Sequence, residues 1–135
     1  MMQKFQVHTS ERTHFLEISG EVQEQVSNAN LQDGLVTVFV PHTTAGITIN
    51  EHADPDVVHD MKDVLDRMVP WEGGYRHAEG NTAAHVKASM MGSSAQVLVV
   101  DGRLQLGTWQ GIFFCEFDGP RSRTVWLHFS STITP

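Results

Sequence analysis

The chain contains few of the features that mark special classes of protein. Cys115 is its only cysteine, so an internal disulfide is excluded, and its place in the apolar run 112–117 indicates a small core residue rather than a nucleophile. No stretch approaches the roughly 20 apolar residues of a membrane-spanning helix, and residues 1–10 lack the apolar segment of a signal peptide. We therefore expect a cytoplasmic protein with no membrane partner.

Basic residues are also scarce. Nine Lys and Arg stand against 16 Asp and Glu, which gives a formal net charge of −7. This charge repels a polyanion at long range and argues against nucleic acid as a partner. A small phosphorylated ligand is not excluded, because a pocket can hold an anion with a few local Arg, Lys and backbone N–H groups.

Internal repeats, low-complexity tracts and Pro/Ser-rich linkers are absent from the 135 residues. A chain of this length buries roughly two-thirds of its unfolded surface in one core, so the sequence predicts a single domain over residues 1–135. Short apolar runs bounded by turn residues predict strands, and the expected strands cover residues 3–8, 13–18, 35–40, 46–51, 95–100, 104–118 and 121–130.

Helical spacing of apolar residues predicts three helices, so the fold class is α+β. The second helix has the strongest local signal, because an N-capping aspartate precedes a proline at the first helical position. The expected limits are Ser19 to residues 33–34, Asp54 to Pro70, and Asn81 to about Met91.

A first polar cluster lies at the end of the predicted strand 104–118. Glu116 and Asp118 share one face of that strand, opposite Phe113 and Cys115, and Arg121 follows after a turn. Spacing alone favours a solvated hairpin with an ion pair, since acidic turn residues are common. The alternative is a site in which Arg121 binds phosphate or carboxylate.

A second cluster follows the buried strand 35–40, where His42 begins a turn. His42 either hydrogen-bonds to the backbone or belongs to a polar site, and the sequence leaves both open. Thr48 and Asn50 share a face of the next strand, so their side chains can line one pocket.

A third cluster surrounds the start of the third helix. His77 precedes it, and His85 lies at the end of its first turn if Asn81 is the cap. The positive end of the helix dipole keeps such an imidazole neutral and also attracts anions. The spacing of His42, His77 and His85 is not a local zinc signature, so spacing makes a three-histidine site only an alternative.

Three long segments carry a resemblance to a known family. They are HTTAGITINEHADPDV at residues 42–57, YRHAEGNTAAHVKAS at residues 75–89 and GRLQLGTWQGIFFCEFDGPR at residues 102–121. Together they closely resemble the YjbQ-like family, whose members are often labelled secondary thiamine-phosphate synthases. The resemblance covers nearly the whole chain. It implies an α+β fold of mainly antiparallel sheet layers, with about three helices packed on one side, assembled as a homotrimer.

The resemblance also implies a site in which His42, His77 and His85 converge on a divalent metal, zinc, with magnesium as the alternative for a diphosphate substrate. The implied catalytic residues are Glu51, Gln110, Glu116 and Asp118. The implied substrate- and phosphate-binding residues are Thr43, Asn50, Asn81 and Arg121.

The labelled reaction joins a hydroxymethylpyrimidine diphosphate to a thiazole phosphate and releases pyrophosphate. A zinc-dependent hydrolase of a small phosphorylated or amide metabolite is the alternative enzyme, because three neutral histidines plus an open position are typical of catalytic zinc. A non-catalytic trimeric module that binds a metabolite or metal is the alternative outside enzymes.

Overall fold

Two antiparallel sheets form the frame of the fold in the computed structural model, which describes residues 2–132. The strands are β1 (Met2–His8), β2 (His14–Glu17), β3 (Gly34–Phe39), β4 (Ala45–Glu51), β5 (Ser94–Val100), β6 (Arg103–Leu104), β7 (Gln110–Glu116) and β8 (Ser122–Ser131). The helices are α1 (Ser19–Asn28), α2 (Pro55–Met68) and α3 (Thr82–Met91). The predicted α+β class is therefore confirmed.

The sheets divide the strands unevenly. The larger sheet has the order β1-β8-β3-β5-β6, the smaller has the order β2-β7-β4, and every neighbouring pair is antiparallel. The first core lies between the sheets and includes Val36, Phe114 and Leu127, together with Val22 of α1. The second core lies on the other face of the smaller sheet, where α2 and α3 cover it.

Strand β7 is buried on both faces because it lies between these two cores. Phe114 packs into the first core, whereas Phe113 and Cys115 pack into the second. Cys115 is fully buried, and burial raises the pKa of its thiol. The interpretation of this cysteine as a core residue is thus confirmed.

The start of α2 agrees with the sequence prediction. Asp54 is the N-cap, its side chain accepts a hydrogen bond from Asp56 N at 2.9 Å, and Pro55 occupies the first position. The prediction for α1 was wrong at both ends. Ile18 is the N-cap, and the helix stops at Asn28, because Asn30 adopts a left-handed conformation with φ of 56° that a helix cannot continue.

The single strand predicted over residues 104–118 was also wrong. Asp101 and Gly102 make the expected tight turn, and β6 pairs with β5 in the larger sheet. A turn then intervenes, with Gln110 N donating to Gly107 O at 3.0 Å, before β7 starts in the smaller sheet. Within residues 2–132, none of the helices has the length and apolar character needed to cross a membrane.

Candidate functional site

An open cavity of about 670 Å³ lies where β3 ends, β8 begins and α3 starts. We call it the site cavity. Its volume is within the range of small-molecule pockets. It gathers seven of the eleven residues assigned to a site from the sequence. The lining is Phe39, Val40, Pro41, His42, Thr43, Thr44, His77, Glu79, Asn81, His85, Ser93, Asp118, Arg121 and Arg123.

His42 is fixed by the backbone of the larger sheet. Its Nε2 accepts a hydrogen bond from Thr124 N at 3.0 Å. An accepting Nε2 carries a lone pair, so in the neutral ring the proton is on Nδ1. The pKa of His42 is lowered from its ordinary 6.5, first by burial and then by the positive charge of Arg123. His42 is therefore a neutral imidazole that can donate through Nδ1.

Asn81, Asp118 and Arg121 form a linked polar group on one wall of the site cavity. Asn81 Nδ2 donates to Asp118 Oδ2 at 2.9 Å, so the side chain does not cap α3 as the sequence predicted. Arg121 donates from Nε to Asp118 O at 2.8 Å and from Nη2 to Asp118 Oδ2 at 3.2 Å. These contacts hold the guanidinium in one orientation and leave Nη1 for a ligand. The Arg121 side chain is 49% exposed.

Asn81 also presents an acceptor that residues 2–132 do not satisfy. Its Oδ1 is buried and accepts no hydrogen bond from the described residues. Burying an unpaired polar oxygen costs about 1–3 kcal/mol, so such an atom in a cavity wall points to a ligand that donates to it.

His77 and His85 lie next to each other in the lining of the cavity. Their ring centroids are 5.6 Å apart with an interplanar angle of 82°, and His77 Nε2 lies 3.9 Å from Glu79 Oε1. Both rings line the site cavity. Two adjacent imidazoles can transfer protons or bind one metal ion.

Glu116 lies beneath the cavity rather than in it. Its side chain is fully buried, and its oxygens accept from Arg123 Nε at 2.8 Å, from Arg123 Nη2, from Thr9 Oγ1 at 2.9 Å and from Asp118 N at 3.0 Å. Burial alone would raise the pKa of Glu116, but these hydrogen bonds outweigh it and hold the pKa below 4.5. The solvated hairpin favoured from spacing is therefore wrong for Glu116, whereas the ion pair that it included is present between Arg121 and Asp118.

The remaining predicted residues lie at the far end of the smaller sheet. Ala45 pairs with Glu116 near the cavity, whereas Glu51 pairs with Gln110 and Asn50 with Gly111. Six residues of strand separate the two ends, which corresponds to about 20 Å. One chain therefore does not bring Asn50, Glu51 and Gln110 next to His85, although the resemblance implied a single group.

Sequence reasoning missed Arg123, which is 5% exposed and lines the site cavity. Its Nη2 also donates to Thr44 Oγ1 at 2.8 Å. The signal was available in the alternation of β8, because Arg123 has the same parity as the buried Val125 and Leu127. A charged residue on an inward face needs a buried partner, and Glu116 is that partner.

The fit of a metal ion is partial. Two imidazoles on one zinc ion, with Zn–N distances of about 2.0–2.1 Å, have ring centroids on the order of 5–6 Å apart, which agrees with His77 and His85. His42 does not fit in its observed arrangement, because its Nδ1 carries the proton and its Nε2 is engaged. Across residues 2–132, no three His, Cys, Asp or Glu side chains form a group that could hold a metal.

The fold and the cavity together define a two-sheet α+β domain with a polar, imidazole-lined site at the ends of its strands. The chain matches the family model described as UPF0047 protein YjbQ-like over residues 3–132, and it belongs to that family. The resemblance found in the three sequence segments is thus confirmed.

Similar proteins occur in bacteria and archaea. UPF0047 protein YugU of Bacillus subtilis is 51% identical over 128 residues, covering 94% of this chain and 97% of the relative. A UPF0047 protein of Methanocaldococcus jannaschii is 45% identical, covering 94% and 92%. A yjbq/upf0047 family protein from Clostridium acetobutylicum has a similar crystal structure, with a TM-score of 0.93, 50% identity and coverage of 95% of this chain and 99% of that one.

Proposed function

We propose that this protein is an enzyme that converts a small phosphorylated metabolite bound in the site cavity. The observation that carries the proposal is the meeting of three functions in one cavity of about 670 Å³. Arg121 supplies a fixed cation for phosphate, His77 and His85 supply groups for proton transfer, and Asn81 Oδ1 supplies a buried acceptor for a ligand donor group.

Phosphate binding would rest on Arg121 and on the first backbone N–H groups of α3. The Asn81 side chain is turned to Asp118 and does not cap the helix, so within residues 2–132 only Ala84 N among these groups, which donates to Asn81 O at 3.0 Å, is engaged near the cap. Arg121 is oriented by Asp118, and this preorganisation lowers the cost of ordering it around a ligand.

The reaction we propose is the transfer that the labelled activity of the family describes, in which a hydroxymethylpyrimidine diphosphate condenses with a thiazole phosphate. The leaving pyrophosphate gains negative charge as the C–O bond breaks, and Arg121 would stabilise that charge. The thiazole nitrogen forms a C–N bond to the same methylene carbon, so the nucleophile loses no proton. His42 would donate a hydrogen bond from Nδ1 to the diphosphate, and His77 or His85 would give a ring-nitrogen proton to the leaving pyrophosphate oxygen. Glu116 would hold Arg123 and the start of the Asp118–Arg121 turn in place.

A divalent metal, zinc or magnesium, is part of the proposal. With the ion bound, His77 and His85 would be its ligands instead of proton-transfer groups, and the ion would supply positive charge to a phosphate or diphosphate oxygen. The centroid distance of 5.6 Å between these two rings also supports the second candidate function, hydrolysis of a small phosphoester or amide at a zinc centre.

We further propose a cytoplasmic homotrimer. The exposed outer face of the larger sheet supports self-assembly, because Leu98 is 63% exposed and pairs with Leu35 directly across from it.

The test begins with tag-free protein and isothermal titration of pyrophosphate, with and without zinc or magnesium. We expect Arg121→Gln to weaken binding at least about tenfold, since a charge-assisted hydrogen bond from Nη1 is lost. Arg103→Gln, an exposed position outside the cavity, is the matched control.

Turnover is then measured by mass spectrometry with the two condensation substrates and with a panel of phosphoesters and amides. Product that disappears in His85→Ala supports the enzyme, and the substrate that is consumed distinguishes transfer from hydrolysis. Saturable binding without any product would reject catalysis in favour of a metabolite-binding module.

A further inference from the structure

A groove on the outer face of the larger sheet shares a wall with the site cavity. Its volume is about 520 Å³, and its lining includes Lys4, Gln6, Pro41, His42, Thr124 and Trp126. Pro41 and His42 also line the site cavity, so a group seated in the groove lies beside the site. We call it the His42 groove.

The His42 groove has an aromatic wall and a positive charge. The Trp126 ring stacks on Phe39 with centroids 5.7 Å apart, and Lys4 Nζ lies 5.6 Å from the Trp126 ring centre. None of the described residues that line the groove is a carboxylate. The chemistry it fits is therefore an aromatic side chain flanked by carboxylates.

The far end of the β4–β7 pair carries a group with that chemistry. We call it the Trp109 cluster, and its members are Glu17, Glu51, His52, Trp109 and Gln110. Trp109 is 63% exposed, although its carbonyl oxygen accepts from His52 N at 2.9 Å. Glu17 Oε2 pairs with His52 Nδ1 at 2.9 Å and accepts from Ser19 Oγ at 2.8 Å. The exposed indole thus stands on an ordered polar support.

Gly111 shows how closely this support is packed. A Cβ at that position would lie 2.6 Å from Glu17 Oε2 and 2.8 Å from His52 Cβ, so only glycine lets the Glu17–His52 pair cross β7. An exposed tryptophan on a rigid base loses little entropy on binding, and such residues dominate interface energies.

The two surfaces complement each other but lie apart on one chain, the His42 groove on the outer face of the larger sheet and the Trp109 cluster at the far end of the smaller sheet. A groove of about 520 Å³ has room for one indole, and Lys4 in its lining is opposite in charge to Glu17 and Glu51 of the Trp109 cluster. A patch that fits a different patch of the same chain makes a head-to-tail contact between copies, and a closed ring satisfies every such patch.

We propose that Trp109 of one copy of this chain occupies the His42 groove of the next copy. Glu51 and Gln110 of the copy that contributes Trp109 then border the site cavity of the next copy. Within one chain, a separation of about 20 Å prevents this. The site is completed by a second copy, so the inference rests on the proposed function of that cavity and names the partner that closes it.

The test uses cysteine cross-linking between two co-expressed variants that carry tags of different mass. Gln6→Cys places a thiol in the groove, and Thr108→Cys places one beside Trp109; Cys115 is buried and its thiol pKa is raised, so it does not react. With a short bismaleimide we expect a linked pair that contains one of each variant. Neither variant expressed alone should give a linked pair.

Sedimentation of the full chain gives the second readout. We expect wild type to sediment as an oligomer, at two or more times the 15.0 kDa of one chain. Trp109→Ala should self-associate at least about tenfold more weakly, because it removes an interface anchor. Met68→Ala, at a side chain that is 62% exposed on α2, is the matched control and should behave as wild type.

A monomeric wild type, cross-links formed by Gln6→Cys alone, or unchanged association of Trp109→Ala would each overturn the inference. Pyrophosphate titration of the same samples separates it from the proposed function. Mixed cross-links without pyrophosphate binding would support the interface and reject the proposed function. Pyrophosphate binding without mixed cross-links would support the proposed function and reject the interface.

Discussion

Arg123 joins the two sheets by donating hydrogen bonds from Nε and Nη2 to the two carboxylate oxygens of Glu116. Arg123 lies on β8 of the larger sheet, and Glu116 ends β7 of the smaller one. Both side chains are buried, so the pair is satisfied by protein groups instead of water. This contact positions the cavity wall, because Asp118 N also donates to Glu116.

Glu116→Gln should therefore lower the free energy of unfolding by about 3 kcal/mol. The substitution leaves Arg123 buried without its counter-charge, and breaking one side of a buried pair costs about 3–5 kcal/mol. Urea denaturation followed by circular dichroism measures the effect. Glu11→Gln is the matched control: Glu11 is 62% exposed and lies 3.4 Å from Lys62, so its loss should have little effect. Equal effects of the two substitutions would show that the buried Glu116–Arg123 pair contributes no more to the free energy of unfolding than an exposed ion pair does.

The same pair predicts an acid-dependent loss of stability. The folded-state pKa of Glu116 is lower than its ordinary 4.5, so the unfolded chain takes up the proton first as pH falls. The stabilisation from Glu116 is complete above pH 4.5 and is lost as pH falls through the lower folded value. Urea midpoints from pH 7 to pH 3 should converge for wild type and Glu116→Gln. A gap that stays constant down to pH 3 would contradict this assignment.

His42 should titrate below pH 6.5 and, in its neutral form, carry its proton on Nδ1. Its pKa is lowered from 6.5, and Thr124 N donates to its Nε2. Long-range proton–nitrogen correlation spectra of uniformly labelled protein report both the tautomer and the titration. Because the unfolded ring binds a proton at higher pH, His42 also reduces stability as pH falls below 6.5. Observation of a protonated Nε2 at pH 7 would refute this.

Zinc added to the same sample distinguishes the ligand sets. We expect the ring resonances of His77 and His85 to shift, since these rings have a spacing that suits one ion, while His42 keeps its Nδ1 proton. Metal analysis by mass spectrometry should show zinc lost from His77→Ala and His85→Ala and retained by His42→Ala. Loss of zinc from His42→Ala would instead support the three-histidine set that the family resemblance implied.

Local signals in the sequence predicted local structure well. The Asp54–Pro55 start of α2 was readable because a cap and a first-turn proline act within four residues of chain. The resemblance identified the family, and seven of its implied site residues do line one cavity. Asn81 was correctly placed at the start of α3, although its side chain bonds to Asp118 and does not cap the helix.

Tertiary partners were not readable in the same way. Glu51 follows His42 by nine positions, which suggests proximity, but β4 is extended and carries Glu51 away at about 3.3 Å per residue. Arg123 and Glu116 meet only because the two sheets stack. From the sequence, the nearer Arg121 was therefore taken as the cation that pairs with this acidic cluster. The burial that decides the chemistry of Glu116 is a property of the packed sheets.

Gly46 of β4 packs tightly against the C-terminal end of α3. A Cβ there would lie 2.8 Å from Gly92 O, 3.0 Å from Met91 Cβ and 3.2 Å from Ala88 O. Backbone atoms cannot move aside as a flexible side chain can, so Gly46→Ala should destabilise the fold by about 1–3 kcal/mol.

The same substitution should displace the helix that holds His85, one turn before Ala88, and weaken zinc or pyrophosphate binding. Gly20→Ala is the matched control, because its Cβ meets nothing within 4 Å and alanine favours the helix α1, so stability should rise slightly. Urea denaturation of both variants measures the change in stability, and titration with zinc or pyrophosphate measures the change in binding. If Gly46→Ala matched Gly20→Ala in stability, the contact between α3 and β4 would not be the constraint that positions His85.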